Sequence, residues 1–163
     1  MPTEFKAFSS RVLILVGSFG PLGHLPASGT VTVALIGVPL FAWMSTSSPA
    51  AYTVITVALI AAAVFVHDRG DRILGQKDSP ILVWDEIAGF LVGVAFLPFT
   101  WPLALVALLV ERCVDIAKVQ PARWVEKHVA GGWGVVGDDV IAGLYTRVLM
   151  ELALFVFPGL RGP

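Results

Sequence analysis

The sequence predicts an all-α protein: a polytopic membrane bundle of about four to five hydrophobic helices, with short cytoplasmic helices and loops. Among its 163 residues, 56% are hydrophobic and only 14% are charged, whereas a soluble domain typically carries about 25% charged residues. The mean hydropathy is +0.83. Long uncharged runs alternate with short polar stretches. Because this small number of charges cannot cover the surface of a water-soluble globule of this size, much of the surface is predicted to face lipid.

The uncharged runs have lengths that suit helices in a bilayer, where a crossing needs about 17–25 residues. The longest run is interrupted by Pro98 and Pro102. Because proline breaks a helix, this run is predicted to form two short helices joined by a turn. The predicted helices are, in order, 31–47, 50–66, about 86–97, about 103–118 and 140–157.

The amino-terminal region is predicted not to cross the bilayer, with residues 12–19 either interfacial or re-entrant. Residues 1–11 form a predicted polar tail, and residues 12–19 are too short to span. A secretory signal peptide at 1–28 is an alternative, since Lys6 and Arg11 precede a short apolar run. Most Lys and Arg residues fall on the side of the predicted zigzag that carries the tail, which the positive-inside rule makes cytoplasmic. Residues 1–163 are predicted to form one domain.

Charge and cysteine counts argue against several classes of protein. Eleven Lys and Arg against twelve Asp and Glu give a net charge of −1, so no basic excess indicates nucleic-acid binding. The single cysteine, Cys113, excludes an internal disulfide and a multi-cysteine metal site. No Walker or nucleophile-elbow motif supports nucleotide hydrolysis or acyl transfer. No obligate protein partner is evident.

Two acidic doublets precede apolar runs. Aligning Asp85 of Asp85-Glu86 with Asp139 of Asp138-Asp139 places an Ala three residues on and a Gly four residues on in both. These positions share a helix face, and small residues let helices approach closely. The two faces are therefore predicted to pack together and collect four carboxylates. Hard oxygen ligands suit Mg²⁺, which predicts one Mg²⁺ site from both doublets. The alternative is that each doublet only caps its helix.

A third polar cluster ends the helix predicted at about 103–118. Glu111, Asp115 and Lys118 fall on one stripe at i, i+4 and i+7, and Arg112 lies three residues before Asp115. One interpretation is an ion-paired helix end that reaches into water. The other is catalytic, with Asp115 as a metal ligand or general base while Arg112 and Lys118 bind phosphate.

Substrate-binding candidates come from two glycine-rich segments and one histidine. Gly29 and Thr30 precede the first crossing, where backbone N–H groups at a helix start favour an anion. Gly132 belongs to a G-G-W-G segment whose backbone can turn sharply, although such segments are also common connectors between helices. His67 ends the second crossing beside Asp68 and either orients a phosphate or only hydrogen-bonds to its neighbour.

Taken together, these motifs resemble the phosphatidylglycerophosphatase A family of bacterial inner-membrane lipid phosphatases. The resemblance extends from about residue 17 to about residue 154. The segments that carry it are V-W-D-E-I-A-G at 83–89, G-G-W-G followed by D-D-V-I-A-G at 131–143, the spacing of Arg112, Asp115 and Lys118, and P-A-S-G-T at 26–30. The last of these departs from the family's P-G-T segment by an insertion before Gly29.

The resemblance implies Mg²⁺-dependent hydrolysis of the terminal phosphate of phosphatidylglycerophosphate, giving phosphatidylglycerol and inorganic phosphate. It also implies a phospholipid substrate and a multi-pass protein of the bacterial inner membrane, with its active site facing the cytoplasm. The residue chemistry agrees, because phosphomonoester hydrolysis is very slow unless charge is strongly neutralised. A cation transporter or channel is the alternative, since membrane carboxylates also mark ion pathways. The collection of acids at one edge, with only Glu151 deeper, favours the enzyme.

Overall fold

The computed structural model describes residues 2–162, with side chains from residue 8 onward, and its regular structure in this range is entirely helical. The all-α prediction is confirmed. A π-helical segment, Val33–Gly37, lies inside the second helix. The helices in chain order are α1 (Pro2–Gly17), α2 (Ser28–Met44), α3 (Pro49–Leu74), α4 (Trp84–Gly93), α5 (Trp101–Ala117), α6 (Ala122–His128) and α7 (Gly132–Val156).

Local signals in the sequence set the ends of α3 and α5. Ser48 caps α3 by accepting a hydrogen bond from the backbone N–H of Ala51 at 3.2 Å, and Thr100 caps α5 in the same way. Gly75 ends α3 in the left-handed conformation, with φ at +69°. Lys118 ends α5 at φ +45°. The left-handed turn at Lys118 carries the chain from α5 toward α6.

The centre of the bundle is the contact between α4 and α7, which is the most extensive helix pair and which α3 and α5 flank. Glycine allows this close approach. A Cβ at Gly143 would overlap the backbone oxygen of Gly89, and a Cβ at Gly89 would lie 2.7 Å from the backbone oxygen of Asp139. The predicted packing of the two small-residue faces is therefore confirmed.

An apolar core continues along the same helices beyond the acidic doublets. Phe90 of α4 and Met150 of α7 are completely buried, together with Phe41 of α2 and Leu103 of α5. Burial of such side chains contributes about 1.5–3 kcal/mol each relative to exposure. The core thus holds α4 and α7 in one register and sets the relative positions of the doublets at their amino-terminal ends.

Two predicted helix boundaries were wrong. Helix α3 continues to Leu74 instead of ending at residue 66, so His67 and Asp71 are helical. Helix α7 begins at Gly132 instead of residue 140, which makes Asp138 and Asp139 its seventh and eighth residues. Hydropathy marks where a helix contacts lipid, whereas backbone hydrogen bonding can continue through polar residues beyond that point.

Within residues 2–162, one helix, α3, is long and apolar enough to cross a bilayer by length and composition. Helix α4 has 10 residues, and a helix of that length spans about 15 Å, half of the hydrocarbon thickness. Helix α7 has 25 residues but includes Asp138, Asp139, Arg147 and Glu151. The predicted set of four to five membrane helices is not confirmed, and a multi-pass arrangement stays a prediction.

Candidate active site

The predicted polar residues meet at one end of the bundle, where α3, α4, α5 and α7 come together. Acidic side chains on one helix contact basic side chains on another helix or, for Lys118, at the residue directly after α5. Three of these contacts involve the acidic doublets: His67 with Asp85 at 3.2 Å, Arg112 with Glu86, and Lys118 with Asp138 at 2.7 Å. Both acidic doublets therefore lie in one polar cluster, as the small-residue packing requires.

The first doublet lies in the first turn of α4, but its side chains do not cap that helix. Val83 is the N-cap residue, and no side-chain hydrogen bond caps α4. Asp85 is only 5% exposed, and its buried Oδ1 accepts no hydrogen bond. Glu86 pairs with Arg112 of α5. Helix capping, the alternative interpretation of this doublet, therefore does not explain where the two carboxylates point.

Arg112 connects the acids of α4 and α5. Its Nε and Nη2 donate to Oε2 and Oε1 of Glu111 at 2.6 and 2.7 Å, which is a bidentate contact. Glu111 is completely buried. The remaining nitrogen, Nη1, contacts Glu86 and lies 3.6 Å from Oδ2 of Asp115. Glu111 therefore fixes the guanidinium plane and leaves Nη1 facing the cluster.

The second doublet lies about two turns inside α7. Asp138 accepts a hydrogen bond from Nζ of Lys118 at 2.7 Å, and Lys118 also lies 3.3 Å from Glu126. Asp139 is 5% exposed. Among the described residues, no basic nitrogen lies within 4.0 Å of its carboxylate. Both acids stand too far from the helix start to act as caps.

Three acids of the polar cluster are hard to ionise. Burial raises the pKa of Asp139 well above its ordinary value, and repulsion from Asp85 raises it further. Burial raises the pKa of Glu86 to about 8 although Arg112 opposes the shift. Burial likewise raises the pKa of Asp138 to about 6, against the effect of its lysine partner. A bound cation would relieve this repulsion and favour the ionised carboxylates.

The cluster supplies suitable ligand atoms for Mg²⁺ without already forming a coordination cage. Among the residues that the structure describes, no three His, Cys, Asp or Glu side chains are placed to hold a metal ion together. The unpartnered buried oxygen of Asp85 and the uncompensated carboxylate of Asp139 nevertheless fit a hard divalent cation. Side-chain rotation would be needed to bring the four predicted ligands onto one ion.

A cavity of about 590 Å³ opens beside Glu86 and Arg112. Gly29 and Thr30 lie on its wall, and a Cβ at Gly29 would overlap the Glu86 carboxylate. Glycine at this position thus allows the backbone of α2 to approach the acid. The other lining residues are Gly23, His24, Leu25, Ala27, Ser28, Pro80, Ile81 and Ile116. We call this cavity the headgroup groove.

Two residues predicted to bind substrate do not line the headgroup groove. His67 is completely buried and lies between Asp71 and Asp85, so its expected partnership with Asp68 is wrong. Helix geometry explains the error, because residues four apart share a face whereas adjacent residues diverge. Gly132 is also buried, and a Cβ there would overlap the backbone oxygen of Val64. The contact visible at Gly132 is close packing of α7 on α3.

Several polar residues for which the sequence predicted no functional role hold the helices around the polar cluster in place. Asp68 caps α7 from a neighbouring helix by accepting the N–H of Gly132 at 2.6 Å. Asp71 accepts the backbone N–H groups of Asp78 and Ser79 at 3.0 and 3.1 Å. Burial, followed by repulsion from nearby acids, raises the pKa of Asp78. The i, i+4 spacing of His67 and Asp71 was the available sequence signal for this network.

An all-α bundle whose buried acids lie beside two basic side chains and a groove suits an enzyme that acts on a phosphate ester. Comparison with known proteins agrees with this class. A sequence profile of the phosphatidylglycerophosphatase A family matches residues 15–154. The chain belongs to the phosphatidylglycerophosphatase A family and is a phosphatase, which confirms the predicted family and enzyme class.

Individual relatives are distant but cover most of the chain. The phosphatidylglycerophosphatase A of Escherichia coli (strain K12) is 27% identical over 118 residues, covering 72% of this chain and 69% of the relative. The protein of that name from Haemophilus influenzae is 27% identical over 123 residues, with 75% and 69% covered. A Bacteroides thetaiotaomicron protein, provisionally named a phosphatidylinositol-3-phosphatase, is 26% identical over 152 residues, with 88% and 94% covered. No solved structure matches.

Proposed function

We propose that this phosphatase hydrolyses the terminal phosphate of phosphatidylglycerophosphate in an Mg²⁺-dependent reaction that gives phosphatidylglycerol and inorganic phosphate. Two of the relatives described above are named for that activity. The observation that carries the proposal is the convergence of Asp85 and Asp139 across the contact between α4 and α7, beside Arg112 and the headgroup groove. The relatives lend no support to the transporter alternative.

The residues proposed to hold Mg²⁺ are Asp85, Glu86, Asp138 and Asp139. Their carboxylates are the hard ligands that this ion prefers. For Glu86, Asp138 and Asp139, burial raises the pKa and makes ionisation dependent on a compensating charge. When bound, the ion supplies Lewis-acid stabilisation of the phosphate oxygens. Glu86 and Asp138 each have a basic partner. When metal and phosphate bind, Glu86 and Asp138 would therefore exchange their basic partners for the metal, and the freed basic groups would bind phosphate.

Arg112 and Lys118 are the groups that would bind the substrate phosphate. Glu111 holds Arg112 through Nε and Nη2, which leaves Nη1 to donate to a phosphate oxygen. Lys118 adds a second positive charge from the end of α5. Arginine offers directional donors, whereas lysine acts as a point charge, so the two residues can fix and neutralise different oxygens.

Asp115 is the proposed general base. It lies on the same face of α5 as Arg112, with 3.6 Å between Oδ2 and Nη1, and it is more accessible than Asp138 and Asp139. It would take a proton from the attacking water as the water oxygen bonds to phosphorus. The phosphorus–oxygen bond to glycerol then breaks, and the glycerol oxygen takes a proton from solvent water, to which Asp115 afterwards returns the proton that it accepted.

The walls of the headgroup groove suit a lipid phosphate. Arg112 and Glu86 lie at its polar side, while Leu25 and Ile116 contribute apolar surface that is 44% and 78% exposed. A lipid could place its phosphate near the basic groups while its acyl chains remain in the bilayer. The distribution of Lys and Arg supports a cytoplasmic location for this end of a bacterial inner-membrane protein.

The test is release of inorganic phosphate from phosphatidylglycerophosphate in mixed micelles by the purified protein. We expect release with Mg²⁺, loss of release in EDTA, and recovery when Mg²⁺ is restored. Asp85→Asn and Asp139→Asn should abolish release while the protein remains folded. Phosphatidic acid and phosphatidylinositol 3-phosphate serve as comparison substrates. Undiminished release in EDTA, or full activity of Asp139→Asn, would contradict the proposal.

A further inference from the structure

His67 is a completely buried histidine whose two ring nitrogens face two different carboxylates. Nε2 lies 3.2 Å from Oδ1 of Asp85, and Nδ1 lies 3.5 Å from Oδ2 of Asp71. Asp71 follows His67 by one turn of α3, whereas Asp85 belongs to α4. The imidazole therefore bridges an acid on its own helix to one of the proposed metal ligands.

The far side of this bridge is anchored to the backbone. Oδ2 of Asp71 accepts the N–H of Asp78 at 3.0 Å, and Oδ1 accepts the N–H of Ser79 at 3.1 Å. Two backbone donors thus hold the carboxylate that faces Nδ1. Asp71 is therefore held in place 3.5 Å from the side of the imidazole that points away from Asp85.

Apart from His67, few contacts orient the carboxylate of Asp85. Within the part of the chain that the structure describes, His67 is the only basic side chain whose nitrogen lies within 4.0 Å of this carboxylate. Its buried Oδ1 accepts no hydrogen bond. The position of the imidazole consequently decides how Asp85 presents its oxygens to the cluster.

We propose that His67 is a positioning residue, anchored by Asp71, that orients Asp85 to receive a divalent cation. The inference rests on the proposed function, because it takes Asp85 as a metal ligand. His67 itself is buried behind Asp85 and does not line the headgroup groove. Residues that hold metal ligands from behind typically change metal affinity or activity by about 10–100-fold when they are replaced.

The experiment compares His67→Gln with His67→Asn by Mn²⁺ binding to the purified, substrate-free protein, followed by electron paramagnetic resonance. Mn²⁺ is a suitable probe because carboxylate sites for Mg²⁺ also accept it. The glutamine amide can reach the position of Nε2 beside Asp85, whereas the asparagine amide reaches only that of Nδ1. We expect His67→Gln to keep Mn²⁺ affinity within about 3-fold and His67→Asn to lose about 10–100-fold.

Two further variants separate positioning from general damage to the fold. Asp71→Asn should weaken Mn²⁺ binding in the same direction as His67→Asn, since it loosens the anchor. His128→Asn is the matched control, because His128 is exposed and stacks on Trp124; its Mn²⁺ affinity should not change. In phosphate release, His67→Asn should lower kcat at saturating Mg²⁺ while KM for the lipid stays constant. Thermal denaturation checks that every variant is folded.

The outcomes distinguish this inference from the proposed function. If wild type binds Mn²⁺, Asp85→Asn abolishes binding and both His67 variants bind like wild type, the positioning role is wrong while the metal site stands. Equal losses in His67→Gln and His67→Asn also reject the orientation of Asp85 through Nε2. If Asp85→Asn binds Mn²⁺ like wild type, Asp85 is not a ligand, and both proposals fail at that residue.

Discussion

The two acidic doublets look alike in the sequence but have different surroundings. Asp85 and Glu86 lie in the first turn of α4, and each faces a basic side chain from another helix. Asp138 and Asp139 lie about two turns inside α7, and of these only Asp138 faces a base, Lys118. The protein therefore supplies a basic neighbour to both acids of the first doublet and to one acid of the second.

Two doublets with the same local sequence pattern thus differ in how many of their buried carboxylates have a basic side chain nearby. A buried carboxylate that lacks a partner is strongly unfavourable in its ionised form. Asp139 meets this condition, because several acids surround it and none of the described basic side chains lies within 4.0 Å of its carboxylate. It is the acid that should depend most on an added cation.

The largest expected effect comes from Asp139→Asn. Phosphate release should fall by about 10³-fold or more, because a charge that stabilises the reacting centre is lost. In EDTA, however, the free energy of unfolding should rise by about 1–3 kcal/mol, because an uncompensated buried acid is removed. Phosphate release and denaturant unfolding in detergent measure the two quantities. Asp138→Asn is the comparison, and it should not gain stability, since it deprives Lys118 of its partner.

Separating the two doublets should have the next largest effect. Gly143→Ala places a methyl group against the backbone oxygen of Gly89 and forces α4 away from α7. We expect a loss of about 1–3 kcal/mol in unfolding free energy and about 100-fold in phosphate release. Gly159→Ala is the matched control, because open space surrounds that position. Equal behaviour of the two variants would show that the helix contact does not assemble the site.

A smaller effect is expected from Glu111→Gln, which keeps the shape of the side chain but removes its charge. The bidentate contact with Arg112 would weaken, and kcat/KM should fall by about 10–100-fold, the equivalent of one charged hydrogen bond. Glu126→Gln tests a more exposed ion pair with Lys118 and should change kcat/KM by about 3-fold or less. A reversed order would mean that the alignment of Arg112 is unimportant.

The smallest effect is expected at Glu151, far along α7 from both doublets. Its carboxylate pairs with Arg147 at 2.6 Å and is half exposed. Glu151→Gln should therefore change phosphate release by less than about 2-fold. Ion flux through liposomes containing the variant gives an independent measurement. A large loss of both flux and phosphate release would favour an ion pathway along α7 over a site at its end.

Much of the fold was predictable because its signals are local. Hydropathy and proline placement correctly indicated helices near α4 and α5 with a turn between them, and the matching Ala and Gly positions correctly indicated the contact of α4 with α7. The ends of α3 and α7 were not predictable from hydropathy. Helix α3 continues through polar residues at its carboxyl end, and the start of α7 is capped by Asp68, which is 64 residues away in the chain.

The candidate site was predictable in composition but not in its pairing. Clustered acids beside Arg112 and Lys118 follow from spacing and helix faces. The bridge from His67 to Asp85 and the packing of Gly29 against Glu86 join residues that no local pattern connects. The burial of Glu111 also depends on helices that pack around α5. Such contacts arise only when distant segments meet.

The sequence by itself determined the helical class, the family and the residue types available for chemistry, because composition, periodicity and motif spacing are properties of short stretches of chain. Only the tertiary structure decided which acid faces which base, which glycine permits a close approach, and which carboxylate remains uncompensated. Coulomb interactions and burial depend on distances in space. Those distances are set when α3, α4, α5 and α7 pack into one bundle.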